Sequence, residues 1–330
     1  MANVLARLPI RPISFSALAA GAFASDSVDQ MGNAIAAEAD QAPPPPWRRI
    51  VDFPLIAMVV AWIGVMVPVG LTAGLFERLV RPSPTSEIVG KLAVAAVMVF
   101  AYKLVVPRLG RRRHDDLKGP GAIAQLAAGF AGGTMLFALI VGTAALVGVY
   151  SISGPGDVSN LARAVVGDGV FPAVVEEILF RAILFRFVEE FAGSGVAILI
   201  SSALFGLSHL ENPNADMLST VGIMFEGGIL LAAAYLLTRR LWLSMGLHAS
   251  WNLTQGELFD IPVSGNDAHG LVEAHLHGPV LLTGGGFGLE ASLISIIIGT
   301  TFGLLLLWLA VVRGHVMQPS WVRRRTASSA

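Results

Sequence analysis

From residue 53 onward, long apolar runs alternate with short polar stretches. A helix needs roughly 20 mostly apolar residues to cross the hydrocarbon core of a bilayer. Eight runs approach that length: Phe53–Leu75, Ile88–Val106, Ala122–Tyr150, Phe171–Phe191, Val196–Leu210, Leu218–Leu237, Leu241–Leu253 and Glu290–Val312. The fifth and seventh are short for a full crossing. Lipid offers no partner for backbone N–H and C=O groups, so spanning segments must satisfy them internally. The pattern therefore predicts an all-α fold, a polytopic transmembrane helix bundle of about eight spans.

Composition agrees with lipid as the main solvent. Hydrophobic residues make up 54% of the 330 positions, charged residues 14%, and mean hydropathy is +0.69, well outside the usual balance of a soluble domain. With no cysteine, disulfides, thiolate metal sites and thiol nucleophiles are excluded. A net charge of −1 gives no general attraction to nucleic acid, and no sustained internal repeat is visible.

Residues 1–46 are rich in Ala, Ser, Gly and acidic groups and close with Pro43–Pro46. This composition predicts a disordered N-terminal tail. Arg7 and Arg11 before Ala22-Phe23-Ala24 give a competing reading as a signal peptide, although its apolar stretch is short and interrupted. The expected organisation is thus a tail at 1–46, a transmembrane bundle at 47–313 and a basic tail at 314–330. Lys and Arg collect in four places: Arg48 with Arg49, Arg108 to Lys118, Arg239 with Arg240, and Arg323 to Arg325. Eight crossings put all four on one side, and the excess of basic residues predicts that this side, with both termini, is cytoplasmic. Trp47, Trp242 and Trp321 lie near the same boundary. Residues 254–289 form a long loop on the other side, with Asp260, Asp267, His269, His275 and His277. It is expected to be solvated, or to act as a lid.

Ionisable groups inside a bilayer cost at least ~2.5 kcal/mol each on insertion scales, so they persist mainly where they pair or work. They concentrate in the second half of the chain. Glu176, Glu177 and Arg181 lie in the fourth span, His209 at the end of the fifth, Glu226 in the sixth, and His248 with Asn252 in the seventh. Glu177 and Arg181 are four apart and share a helix face. Glu176 points about 100° away, free to meet water or a group from another helix. Phe205 and His209 share a face, as do His248 and Asn252. Gly129 and Gly133 form a small-xxx-small pair that lets another helix approach. Singly, a Glu-Arg pair reads as a brace and a membrane histidine as an interhelical hydrogen bond. Together, a carboxylate, two imidazoles and an amide supply what amide hydrolysis needs: a retained water, a base and donors for the oxyanion. Two imidazoles and a carboxylate are also ligand types that suit catalytic zinc.

The order Glu176-Glu177-Ile178-Leu179-Phe180-Arg181, Phe205-Gly206-Leu207-Ser208-His209, then His248-Ala249-Ser250-Trp251-Asn252 resembles the CPBP family, the CAAX protease and bacteriocin-processing or Abi group. The likeness covers roughly residues 165–310. It implies an intramembrane metalloendopeptidase acting on a peptide or membrane-anchored protein, in which Glu176 and His209 activate water. His248 and Asn252 would then hold the oxyanion or help bind a metal, and Glu177 with Arg181 would brace them. The family is described both as glutamate-dependent and as zinc-dependent, and zinc on Glu176, His209 and His248 is the expected cofactor. Location in a bacterial plasma membrane is expected. In the prenyl endopeptidases of this family the site is reached from the cytosol, whereas the predicted topology puts Glu176 and His209 nearer the outer ends of their spans. Glu226 matches no motif and is expected to be packing or a water-lined contact. A non-catalytic immunity or regulatory protein, binding a peptide or partner through the same cavity, is the alternative. A transporter is disfavoured because the polar residues occupy one half of the chain.

Overall fold

A computed structural model describes residues 45–328, so the predictions for residues 1–44, tail and signal peptide alike, lie outside the described residues. The chain divides into two units, residues 1–49 and 50–330. Of the first, residues 45–49 begin a short helix at Pro46, where the Arg48 guanidinium lies 5.6 Å from the Trp47 ring centre. Everything below concerns the second.

The second unit is mostly helical. Its main rods are α1 (Pro54–Leu79), α2 (Pro84–Val105), α3 (Ala122–Leu146), α4 (161–192), α5 (Ser194–Leu207), α6 (Met217–Thr238), α7 (Trp242–Leu253) and α8 (Leu293–Val312), followed by α9 (Ser320–Ser328). A rod stands wherever an apolar run predicted a span. Among the described residues, α1, α3, α6, α8 and α2 with its continuation to Arg108 are long and apolar enough to cross a membrane. Local chemistry sets their ends. Pro84 opens α2, and Ser83 and Ser86 cap each other's backbone N–H groups at 3.0 and 2.8 Å, a capping box. Asp216 and Ser219 do the same for α6. Ser292 caps α8 at Ser295, so Glu290 lies in the turn before the last span rather than inside it. The third run likewise stops early, at Leu146.

α6 is the central rod. Most of its length is buried, while α1, α2, α3 and α8 leave large apolar side chains such as Val59, Phe100, Met135 and Leu304 exposed, as lipid-facing helices do. Glycine lets the rods meet. A Cβ on Gly129 would lie 2.3 Å from the Leu243 carbonyl oxygen, and one on Gly246 would lie 2.3 Å from that of Leu126. The small-xxx-small pair of α3 therefore faces α7. Gly303 of α8 similarly admits the Leu230 backbone of α6.

One small sheet adds to the expected all-α fold. β1 (Tyr150–Pro155) pairs antiparallel with β2 (Val272–Leu276), with Tyr150 opposite Leu276 and an irregularity between Ile152 and Gly154. The stretch expected to be a solvated loop is solvated at Asp267, His269, His275 and His277, but its two ends form a fitted cap. Gln255, Ile261, Val263, Phe287 and Leu289 are buried, because apolar side chains recur through it and pack on α3, α6 and α7.

Three of the basic clusters, all in the second unit, meet at one end. Arg239 reaches Glu189 of α4 at 2.5 Å, and Arg112 approaches the same carboxylate at 3.9 Å. Arg323 donates to the Glu190 carbonyl at 2.6 Å. Asp116, buried beside them, accepts from Tyr102 of α2 and Tyr235 of α6, each at 2.8 Å, and pairs with Arg186 of α4 at 3.1 Å and His114 at 2.8 Å. Its backbone oxygen accepts the Leu241 N–H that leads into α7.

Candidate active site

The site is built where three rods widen. Val165–Val170 and Glu177–Phe185 in α4, Met224–Gly228 in α6 and Thr254–Leu258 beyond α7 are π-helical. A π turn bonds i to i+5, inserting a residue and leaving carbonyls without their usual partner. Two of these carbonyls are taken by side chains of the motifs: Asn252 donates to the Asp168 oxygen at 2.9 Å, and Arg181 to the Gly228 oxygen at 3.4 Å.

Glu177 is fully buried, and one of its oxygens serves two partners. Oε1 accepts from Arg181 at 3.0 Å on its own helix and meets His248 Nδ1 of α7 at 3.1 Å. The expected Glu177–Arg181 brace is present and extends to a third residue. That contact leaves His248 Nε2 facing Glu176, whose Oε2 lies 3.8 Å away. Glu176 is about one quarter exposed, yet its Oε2 is buried without a hydrogen-bond partner. The angular separation of the two glutamates along α4 thus commits Glu177 to two partners through Oε1, its Oε2 being unpartnered, and leaves Glu176 with no hydrogen bond at Oε2.

His209 lies in the turn after α5. Its Nδ1 is held by the Phe205 carbonyl at 2.8 Å, which fixes the ring and leaves Nε2 available. The Phe205 ring sits among the polar groups, with the Arg181 guanidinium 4.4 Å from its centre, the His209 ring at 5.0 Å and the His248 ring at 6.0 Å.

His209, His248 and Asn252 line one cavity of about 30 Å³, closed by Phe205, Trp251, Ser264 of the cap, Glu226 and Glu290. This is room for one or two water-sized groups, not for a peptide. Glu176 is outside this lining, and no hydrogen bond joins it to His209; it approaches the site through His248 instead. Glu226 and Glu290 are the members that motif spacing did not supply. Burial pushes the Glu290 carboxyl up to about 7, against the Ser264 hydrogen bonds that favour its charged form. A polar residue inside an apolar run was the one signal pointing to Glu226, and Glu290 had none.

The donor types suit zinc, but their placement does not. Among the described residues no three His, Asp or Glu side chains are grouped as a metal ion requires. Glu176, His209 and His248 are not assembled as a ligand set, and no step below passes through a metal.

Residues 158–254 match the family model for type II CAAX prenyl endopeptidases, Rce1-like. The segment is thus similar to the CAAX proteases. The matched stretch runs from the start of α4 through the end of α7 and contains all three motifs, so the CAAX-protease likeness and the assembled site coincide. It stops short of the cap, Glu290 and α8. Comparison with curated proteins and with solved structures gives no match. The match and the five long apolar helices together support an integral membrane protein.

Proposed function

We propose that the chain is an intramembrane endopeptidase of the CAAX type, hydrolysing a peptide bond of a membrane-associated protein or peptide. One observation carries this reading: Glu176 keeps a buried, unpartnered carboxylate oxygen beside His248, whose other nitrogen is fixed by Glu177. A carboxylate held so is a base for water. His209, its ring fixed through Nδ1, presents Nε2 to the same cavity and orients the attacking water or takes part in moving its proton. His248 and the second amide proton of Asn252 stand on the side where the carbonyl oxygen becomes negative. Preorganised donors at such a position are worth more in a site that excludes water.

Distance along the rods supports a site deep in the membrane. Glu176 is ten residues from Arg186, at most about 15 Å along the helix and less through the π-helical stretch, so up to about half the hydrocarbon thickness. The clustered basic end supports the orientation in which that end is cytoplasmic, and a bacterial plasma membrane is the proposed location.

The test uses the purified full-length chain and a farnesylated peptide ending in a CAAX sequence. Glu176→Gln should lower turnover by about 10²–10⁴-fold, the usual worth of a general base, while the protein still inserts and folds. Turnover retained in that variant defeats the assignment. Failure of the native chain to cleave the probe removes prenylated peptides as the substrate class. Zinc is decided separately, by elemental analysis of the native chain and of a His209→Ala, His248→Ala double variant. The ungrouped ligands predict equal, negligible zinc in both.

A further inference from the structure

Glu226 belongs to none of the three motifs, yet it lines the cavity that His209, His248 and Asn252 share. It sits in the π-helical stretch of α6. Its side chain is buried, and Oε2 has no hydrogen-bond partner. α8 packs behind it at Gly299, where a Cβ would stand 2.8 Å from the Glu226 Cβ and 3.4 Å from Oε2. At that point α8 brings backbone rather than a side chain against Glu226. The titratable groups that face it across the cavity are Glu290 from the turn before α8, His209 from the end of α5 and His248 from α7.

Arg181, the nearby cation on α4, is committed to Glu177 and to the Gly228 carbonyl. A carboxyl removed from water, facing another carboxyl and lacking a cation, carries its proton. It is then an O–H donor whose Oε2 has no hydrogen-bond partner among the described residues and which lines the cavity. Asn252, the donor expected from sequence, spends one of its two amide protons on the Asp168 carbonyl.

We propose that Glu226 is a further catalytic residue: its neutral carboxyl donates a hydrogen bond to the scissile carbonyl oxygen as that oxygen becomes negative. This rests on the protease reading of the same site. Glu176 takes a proton from water as the water oxygen bonds to the carbonyl carbon, and the C=O pair moves to the oxygen facing Glu226. When that pair returns, the C–N bond breaks and the amine nitrogen takes the proton held by Glu176. The Glu226 proton stays on Glu226 throughout.

Two measurements on the full chain in lipid nanodiscs test this. Infrared difference spectra of native protein against Glu226→Gln should show a protonated-carboxyl C=O band that the substitution removes; its absence overturns the proposal without need of a substrate. With the farnesylated CAAX peptide, Glu226→Leu should lose about 10²–10³-fold in kcat, as for one oxyanion donor, with KM little changed. Glu226→Gln, which keeps an N–H donor, should recover most of that loss. A Leu variant with native kcat, or a Gln variant as impaired as Leu, overturns it. Glu176→Gln run in parallel separates the two failures: an active Glu176→Gln defeats the protease reading, while a dead Glu176→Gln beside an active Glu226→Leu defeats the Glu226 assignment alone.

Discussion

Glu176 and Glu177 are adjacent in sequence and opposite in circumstance. Glu177 compensates Arg181, which is itself fully buried, and anchors His248; Glu176 is bonded to neither and only approaches His248, at 3.8 Å. Glu177→Gln leaves the guanidinium without its counter-charge, and breaking a buried pair by removing one partner costs about 3–5 kcal/mol. Glu176→Gln removes no such support and should leave stability near native. Thermal unfolding of the two purified variants checks this directly: Glu177→Gln should melt well below Glu176→Gln, although both lose turnover. This division was legible in the spacing, since residues four apart share a face and adjacent ones do not. The reach of Glu177 to His248 was not, because it depends on how α4 and α7 cross. The same holds for Glu226. One buried carboxyl in an apolar run gives no hint of which cavity it faces.

At the level of elements, α7 owes its place to glycine. Gly129 and Gly133 admit the Leu243–Ser250 stretch so closely that a Cβ at Gly129 would meet the Leu243 oxygen at 2.3 Å, and one at Gly133 the Leu247 oxygen at 2.6 Å. Backbone cannot rotate away as a side chain can. Gly129→Val is expected to destabilise by more than the ~1–3 kcal/mol of ordinary overpacking and to abolish turnover by shifting His248 and Asn252, without touching either. Thermal unfolding together with peptide cleavage reads both effects. The sequence showed the glycine pair and its purpose but not the identity of the incoming helix. β1 and β2 were hidden for a different reason: hydropathy averaged over a span length erases the two-residue alternation of a short strand. Tyr150 was thereby absorbed into the third span.

Across the whole molecule, the basic end is fastened by Glu189 and, in its buried interior, by Asp116. Burial alone would raise the Asp116 carboxyl, but the His114 hydrogen bond, the Arg186 charge and the Tyr235 hydroxyl hold it below the usual range. A depressed folded-state value means that the stabilisation is present above the unfolded value of about 3.9 and is lost as pH falls through the folded one. Asp116→Asn should therefore lower the melting temperature strongly at pH 7, with the gap to native protein narrowing as the pH drops below 4. Equal gaps at pH 7 and pH 3 would show that Asp116 does not act through its charge. The spacing of the clusters between apolar runs, read as eight crossings, predicted a shared side for them. It said nothing of Asp116, which sits among five basic residues in sequence and reads there as mere relief of charge.

The widened turns carry one more implication. Each departs from an ordinary α-helix by a surplus residue, and each lies beside a working side chain: Val165–Val170 and Glu177–Phe185 around Glu176, Met224–Gly228 at Glu226, Thr254–Leu258 beyond Asn252. Excising a single position from such a stretch would let the coil tighten to an ordinary α turn, turning the side chain beside it and closing the carbonyls that the widening exposes. The spelling of the motifs is thus only half of the instruction; the other half is the phase at which each rod delivers them.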